Sequence, residues 1–262
     1  MTKIFLYRLK HEKMKREKFT KIAQDLGMEI KPVETDEAIA AHDSTRALAY
    51  AQPGAKFAGL LFYTDQSKGV AEDVIKLTDE KSAKRWAGSF LERFDLLPRK
   101  IKDERIKLHF ETSSYQTKAV TFDGKERSKK KIKTEISSKT TLNDILVDGP
   151  RSKVRMIFKD QEKPIMMHLG MWENIEVFEE RELIRKHDVF TIVKEKLAHR
   201  QKCGINYDIV DIRLAYYADE FRGGPDLLVP YYFVEVEYED KKARELGITE
   251  GARQIFPVPA YR

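Results

Sequence analysis

The stretch Ile212–Asp240, "IRLAYYADEFRGGPDLLVPYYFVEVEYED", sets two alternating apolar runs about the turn Arg222-Gly223-Gly224-Pro225. Successive side chains of a strand point to opposite faces, so Tyr216 and Tyr217 cannot share one, and neither can Tyr231 and Tyr232. In the first run Tyr216 falls in register with Val210, Ile212 and Leu214, while Tyr217 keeps company with Asp211 and Arg213. In the second, Leu228, Tyr232, Val234, Val236 and Tyr238 alternate against Tyr231, Phe233, Glu235 and Glu237. One tyrosine of each pair is therefore expected to pack, and the other to cover a sheet face with its hydroxyl at the wet edge. Tyr217 and Tyr231, beside Arg213 and Arg222, form the candidate surface for a peptide or protein partner.

Strand signals continue outward from this hairpin. "RIKLHFE" places Ile106, Leu108 and Phe110 on one face, "KIKTEI" does the same with Ile132 and Ile136, and "VRMIF" follows. Asp123-Gly124 and Asp148-Gly149-Pro150 read as turns. Three helices interrupt the strands. Phe19, Ile22, Ala23 and Leu26 make one apolar stripe that Gly27 stops. Ala83, Trp86, Ala87, Phe90, Leu91 and Phe94 make a second, opened by Thr78 as cap with Asp79 and Glu80 at the positive end of the dipole. A third runs from about Asp188 to Arg200, with Val189, Phe190, Val193 and Leu197 inward. "VIKLTDEKSA" (74–83) faintly echoes "LIRKHDVFTI" (183–192). The rhythm is helix, then antiparallel meander, repeated. It predicts an α+β fold of such units, with helices packed on antiparallel sheet. No Gly-rich strand-to-helix turn supports a parallel dinucleotide-binding sheet. A boundary near Pro98 divides an N-terminal α+β domain, 1–97, from a C-terminal one, 98–262.

The balance of 49 Lys and Arg against 43 Asp and Glu leaves a net charge of +6 over 262 residues, too slight for a dedicated nucleic-acid binder. Cys203 is the only cysteine, which excludes an intrachain disulfide and a cysteine-based zinc site. A lone thiol of this kind is expected to pack as a small hydrophobe. No apolar run approaches a membrane span, and "MTKIFLYRLKHEKMKREKF" lacks a signal-peptide core, so a cytoplasmic location is expected.

Three groups could carry chemistry. Lys125, Arg127, Lys129, Lys130, Lys131 and Lys133 crowd one hairpin. Six phosphate contacts there would give a salt slope of about −5. A solvated hairpin guarded by lysines against edge pairing explains the cluster more simply. His109 and Glu111 share one side of a strand, an i, i+2 pair able to work as acid and base or to bind metal with further ligands. His168 and Trp172 share a face if the backbone stays extended, unless Gly170 marks a bulge. His11, His42, His187 and His199 show no metal spacing, and no nucleotide-binding loop or nucleophile elbow is present.

Residues 141–193 resemble a PepSY or thermolysin-propeptide (FTP) unit, with Val147, Asp148-Gly149, Asp160-Gln161 and Ile184 in the corresponding places. The hairpin from Ile212 resembles that family's closing strands. The resemblance implies a non-catalytic α+β domain that binds or restrains a partner, often a peptidase. Without a secretion signal, and with no small residue at the helix's first inward turn, the chain departs from the family pattern. The expectation is a non-enzymatic binding or regulatory protein needing no cofactor or metal, using Tyr217, Tyr231, Arg213 and Arg222. The alternatives are an acid/base enzyme drawing on His109, Glu111 and His168, and a polyanion binder using the lysine hairpin.

Overall fold

The computed structural model describes residues 2–67, 77–96, 101, 103–123, 126–149, 152–159, 162–170, 172, 174–218, 226–238 and 253–262, with the side chains of 118–131 and 218 left aside. Among them the chain forms 14 strands and three helices. In order these are β1 (Lys3–Lys10), α1 (Arg16–Asp25), β2 (Val33–Glu34), β3 (Ala38–His42), β4 (Arg46–Ala51), β5 (Leu60–Asp65) and α2 (Glu80–Arg93). Then come β6 (Leu108–Asp123), β7 (Glu126–Leu142), β8 (Ile145–Asp148), β9 (Val154–Phe158), β10 (Met166–Gly170) and β11 (Asn174–Glu182). The chain ends with α3 (Lys186–Lys202), β12 (Tyr207–Ala218), β13 (Leu227–Tyr238) and β14 (Arg253–Pro259).

All 14 strands join one mixed sheet, ordered β11-β1-β13-β12-β8-β7-β9-β10-β5-β4-β3-β2, with β14 on β13 and β6 on β7. This corrects the α+β expectation. Strands dominate, and the helix-then-meander stretches are not repeated PepSY-like units, because their strands pair into a single sheet. The sheet is not purely antiparallel either: Ala215–Tyr217 of β12 run parallel to Leu146–Asp148 of β8.

Strand β7 is the seam. Along one edge it takes β6 over its whole length. Its other edge takes β8 at Thr140–Leu142 and β9 at Thr134–Ser137. From β8 the sheet extends through β12 and β13, and from β9 through β10 and β5. The expected boundary at Pro98 lies outside the described residues. Ladders join the residues on its two sides: β1 with β11 and β13, and β5 with β10.

The helices lie against one face of this sheet. Helix α1 buries Phe19, Ile22 and Ala23, and α2 buries Ala83, Ala87, Phe90 and Leu91, all in a core with Leu48, Leu61, Ile136, Met156 and Met167. Helix α3 buries Val189, Val193 and Leu197 against Tyr232, Val234, Val236 and Val258. Between them Tyr7, Leu142, Val147, Tyr216 and Leu228 form a bridging core, with the Tyr7 and Tyr216 rings edge to face at 5.0 Å. Register carries one face through the seam: Ile136 opposes Met156, while Thr140 opposes Val147 and Val147 opposes Tyr216. Full burial of each large apolar side chain stabilises by about 2 kcal/mol.

Local details refine the sequence reading. The cap of α2 is Asp79, which accepts from the Ser82 N–H at 2.9 Å, rather than Thr78. Thr78 instead donates its N–H and hydroxyl to the Lys159 carbonyl, at 2.6 and 2.7 Å. Gly27 follows α1 at φ 84°, as a helix stop requires. Among the described ladders the register shifts three times, on β11 at Phe178 and at two places that re-aim residues read from alternation. On β12 the register slips at Val210, which is exposed instead of joining Ile212 and Leu214 in the core. On β7 it slips at Ile132, which turns away from the Ile136 face. Cys203 is exposed at the end of α3, contrary to a buried thiol, with its sulfur 3.9 Å from His199 Nε2.

Candidate functional site

No described helix lies against the opposite face of the sheet, which carries two registered rows of side chains. One runs Ala40, Ala49, Phe62, His168, Arg155, Ser137, Ser113 across seven strands. The next runs His42, Ala47, Thr64, Met166, Ile157, Glu135, Tyr115. Alanines keep one end shallow. Phe62 is 41% exposed, well above a core aromatic.

Where β5, β10, β9 and β7 meet, a depression of about 500 Å³ is lined by Thr64, Asp65, Gln66, Ile132, Lys133, Arg155, Ile157, Lys159, Ile165 and Met166. The bulge on β7 turns Ile132 into it beside Lys133, where strict alternation would hide one of the two. Next to it sits a buried carboxylate. Glu135 accepts from Arg155 Nε at 2.6 Å, Arg155 Nη2 at 3.1 Å and the Tyr115 hydroxyl, with Lys133 Nζ 3.1 Å away. Burial alone would raise this carboxyl; the bonds from Arg155, Tyr115 and Lys133 outweigh it and hold it down to about 2. Burial and the hydrogen bond to Glu135 together push the Tyr115 phenol up to about 12. The Glu135 side chain is 4% exposed and that of Arg155 47%, so the carboxylate is an anchor and the guanidinium faces water.

The residues expected from sequence are distributed differently. Arg213 and Tyr217 lie on this same face over β12, around Phe233: the guanidinium is 5.8 Å from the Phe233 centroid and the Tyr217 ring 5.9 Å. Arg213 Nη2 also bonds Asp148 at 3.3 Å, and Lys153 bonds the same carboxylate at 2.7 Å. Burial opposes ionisation of Asp148, yet these cations and the Gly149 N–H lower its pKa. Tyr231 is a correction. It is 3% exposed, with its ring 6.2 Å from that of Phe233, and it offers a partner nothing. Its neighbour Tyr232 is buried on the helix side, donating to the Ile184 carbonyl at 3.0 Å. Arg222 lies outside the described residues.

The alternative acid/base set does not converge. His109 Nε2 and Glu111 Oε2 are 3.5 Å apart but both exposed, a geometry that contributes little. His168 shares their face, three strands across and four residues along, about 19 Å away by strand geometry. Trp172 leaves it altogether: β10 ends at Gly170, and Trp172 enters the bridging core. Among the described residues no group of three or more His, Cys, Asp or Glu could hold a metal ion. Of the basic hairpin, Lys125 lies outside the described residues, and Arg127, Lys129, Lys130 and Lys131 are described as β7 backbone only. Lys133 is described fully and pairs with Glu135.

Sequence reading missed Glu135, Arg155, Tyr115, Phe62 and Met166. The usable signal was the polar register of each strand, Lys133 and Glu135 against Thr134 and Ile136, and Arg155 between Val154 and Met156.

No protein-family model matches the chain, and no curated protein does. Among solved structures it is similar to an uncharacterized protein from Eubacterium rectale ATCC 33656, with a TM-score of 0.56 at 8% identity, covering 99% of this chain and 84% of that one. At that identity the likeness shows fold alone. No helix among the described residues is long and apolar enough to cross a membrane.

Proposed function

We propose that this protein is a non-enzymatic binding protein that holds a protein or peptide partner on the face of its sheet opposite the described helices. One observation carries the reading: the three described helices pack on one side, while the other presents exposed Phe62 and the depression around Met166 and Ile157. Apolar surface of this kind, rimmed by fixed charge, is what a partner covers. The surface first expected around Tyr217 contributes Arg213, Tyr217 and Phe233 to the same face and loses Tyr231. The dispersal of His109, Glu111 and His168 favours capture over acid/base chemistry.

The test is photo-crosslinking in the native host, with a benzophenone side chain at Phe62 and, separately, at Lys84 on the exposed side of α2. A discrete adduct from position 62 and none from position 84 supports the reading. Adducts from position 84 alone would place the contact on the helices and refute it.

A further inference from the structure

The depression beside Glu135 has a chemistry that narrows what the face opposite the described helices takes up, and the narrowing rests on the reading of that face as a capture surface. Its floor is apolar, with Ile157, Ile165 and Met166. Its wall toward β7 is cationic: Lys133 and Arg155 share one carboxylate, Glu135, leaving that cluster at +1. Among the described lining residues, adding Lys159 and Asp65 leaves the sum at +1. Asp65 is turned back on its own loop, accepting from the Ser67 N–H at 2.9 Å and from the Ser67 hydroxyl. Arg155 spends Nε and Nη2 on Glu135, and its side chain remains 47% exposed at the rim.

A purely apolar partner laid over this site would strip water from the guanidinium with nothing to replace it, which is costly. A basic partner would add like charge. An apolar side chain on the floor with a carboxylate at the rim fills both requirements, because the spare donors of Arg155 meet the acid in a charge-assisted bond. We infer that the segment captured here is an extended peptide pairing a large apolar residue with a neighbouring Asp or Glu, the apolar side chain over Met166 and Ile157 and the carboxylate on Arg155 and Lys133.

The experiment is selection of a capped random hexapeptide library on the immobilised full chain, read by sequencing the retained peptides. Enrichment of Asp or Glu beside Leu, Ile, Met or Phe, about tenfold over the Asn and Gln counterparts, is expected for one gained charge-assisted contact. Thr64→Glu, which places an acid in the mouth without touching the Glu135 network, should abolish that preference. Arg155→Lys should reduce it while the fold persists. Retained peptides indifferent to acid but lost in Phe62→Glu would overturn the inference and leave the face reading standing. Retention of nothing, of basic peptides, or of acidic peptides unaffected by Thr64→Glu would also overturn it, and the crosslink at position 62 would then judge the face separately.

Discussion

Arg155 reaches across from β9 to grip Glu135 on β7 with two parallel hydrogen bonds, Nε to Oε1 at 2.6 Å and Nη2 to Oε2 at 3.1 Å. The pair ties the β9–β10–β5 arm to the seam strand on the face opposite the helices. It positions the guanidinium by burying its counter-charge, so the proposed recognition would rest on the contact that also stabilises the fold.

The ionisation of Glu135 gives a pH signature. Its folded pKa, about 2, lies below the ordinary 4.5, so the unfolded chain binds the proton more tightly. The stabilisation is present in full above pH 4.5 and is lost as pH falls through the window toward 2. Glu135→Gln should cost about 1–2 kcal/mol at neutral pH, because the charge-assisted bonds weaken while the guanidinium left behind is 47% exposed and screened by water. The difference between wild type and variant should shrink across that acid window. Urea titrations at pH 7, 4 and 2.5 check it, and a difference that stays constant with pH removes Glu135 as the titrating group.

Gly149 sits under the ring of Tyr217. Its φ is +103°, and a Cβ there would stand 2.9 Å from Tyr217 Cε2. Gly149→Ala should therefore destabilise by about 2 kcal/mol, from clash and backbone strain together. In a Tyr217→Ala background the same substitution should cost less, because the clash is gone and only the strain remains. Equal losses in the two backgrounds would mean that the ring does not rest on the turn.

The two tyrosines once paired as a surface should separate cleanly. Tyr231→Ala empties a buried site in a central strand and should cost about 3–5 kcal/mol. Tyr217→Ala removes a partly exposed ring and should cost less than half as much. Denaturant unfolding of both variants decides the matter, and similar losses would contradict the burial of Tyr231.

Cys203, exposed at the C-terminal end of α3, should react with a thiol reagent in the native protein as fast as in denaturant, within about threefold. Protection of a hundredfold or more would bury it again.

Much of the core was legible in the sequence. Tyr216, Tyr232, Val234, Val236 and Tyr238 alternate as a pleated strand demands, and each is buried. The stripes of α1 and α2 pack as their spacing requires. What stayed hidden was non-local. Nothing near Lys3–Lys10 says that this strand pairs with Asn174–Glu182 and touches Leu227–Leu228, so the single sheet read as repeated units. Tyr231 is buried while Phe233 and Glu235, which alternate with it on the same face, stay partly exposed, a difference that alternation does not report. The bulges at Val210 and Ile132 invert the facing of individual residues without a glycine or proline to mark them. The candidate site suffered most, because it is assembled from the polar register of β6, β7 and β9 and the half-apolar outer register of β10.

Hydroxyl-radical footprinting of the wild-type protein with the partner identified through position 62, compared with the free protein, bears most directly on the sheet face opposite the described helices. In the free protein Phe62 and Met166 should be modified readily, and in the complex both should be protected, with Trp86 between the helices and the sheet unchanged. Protection confined to the helix side, or Phe62 and Met166 inert in the free protein, would contradict the account.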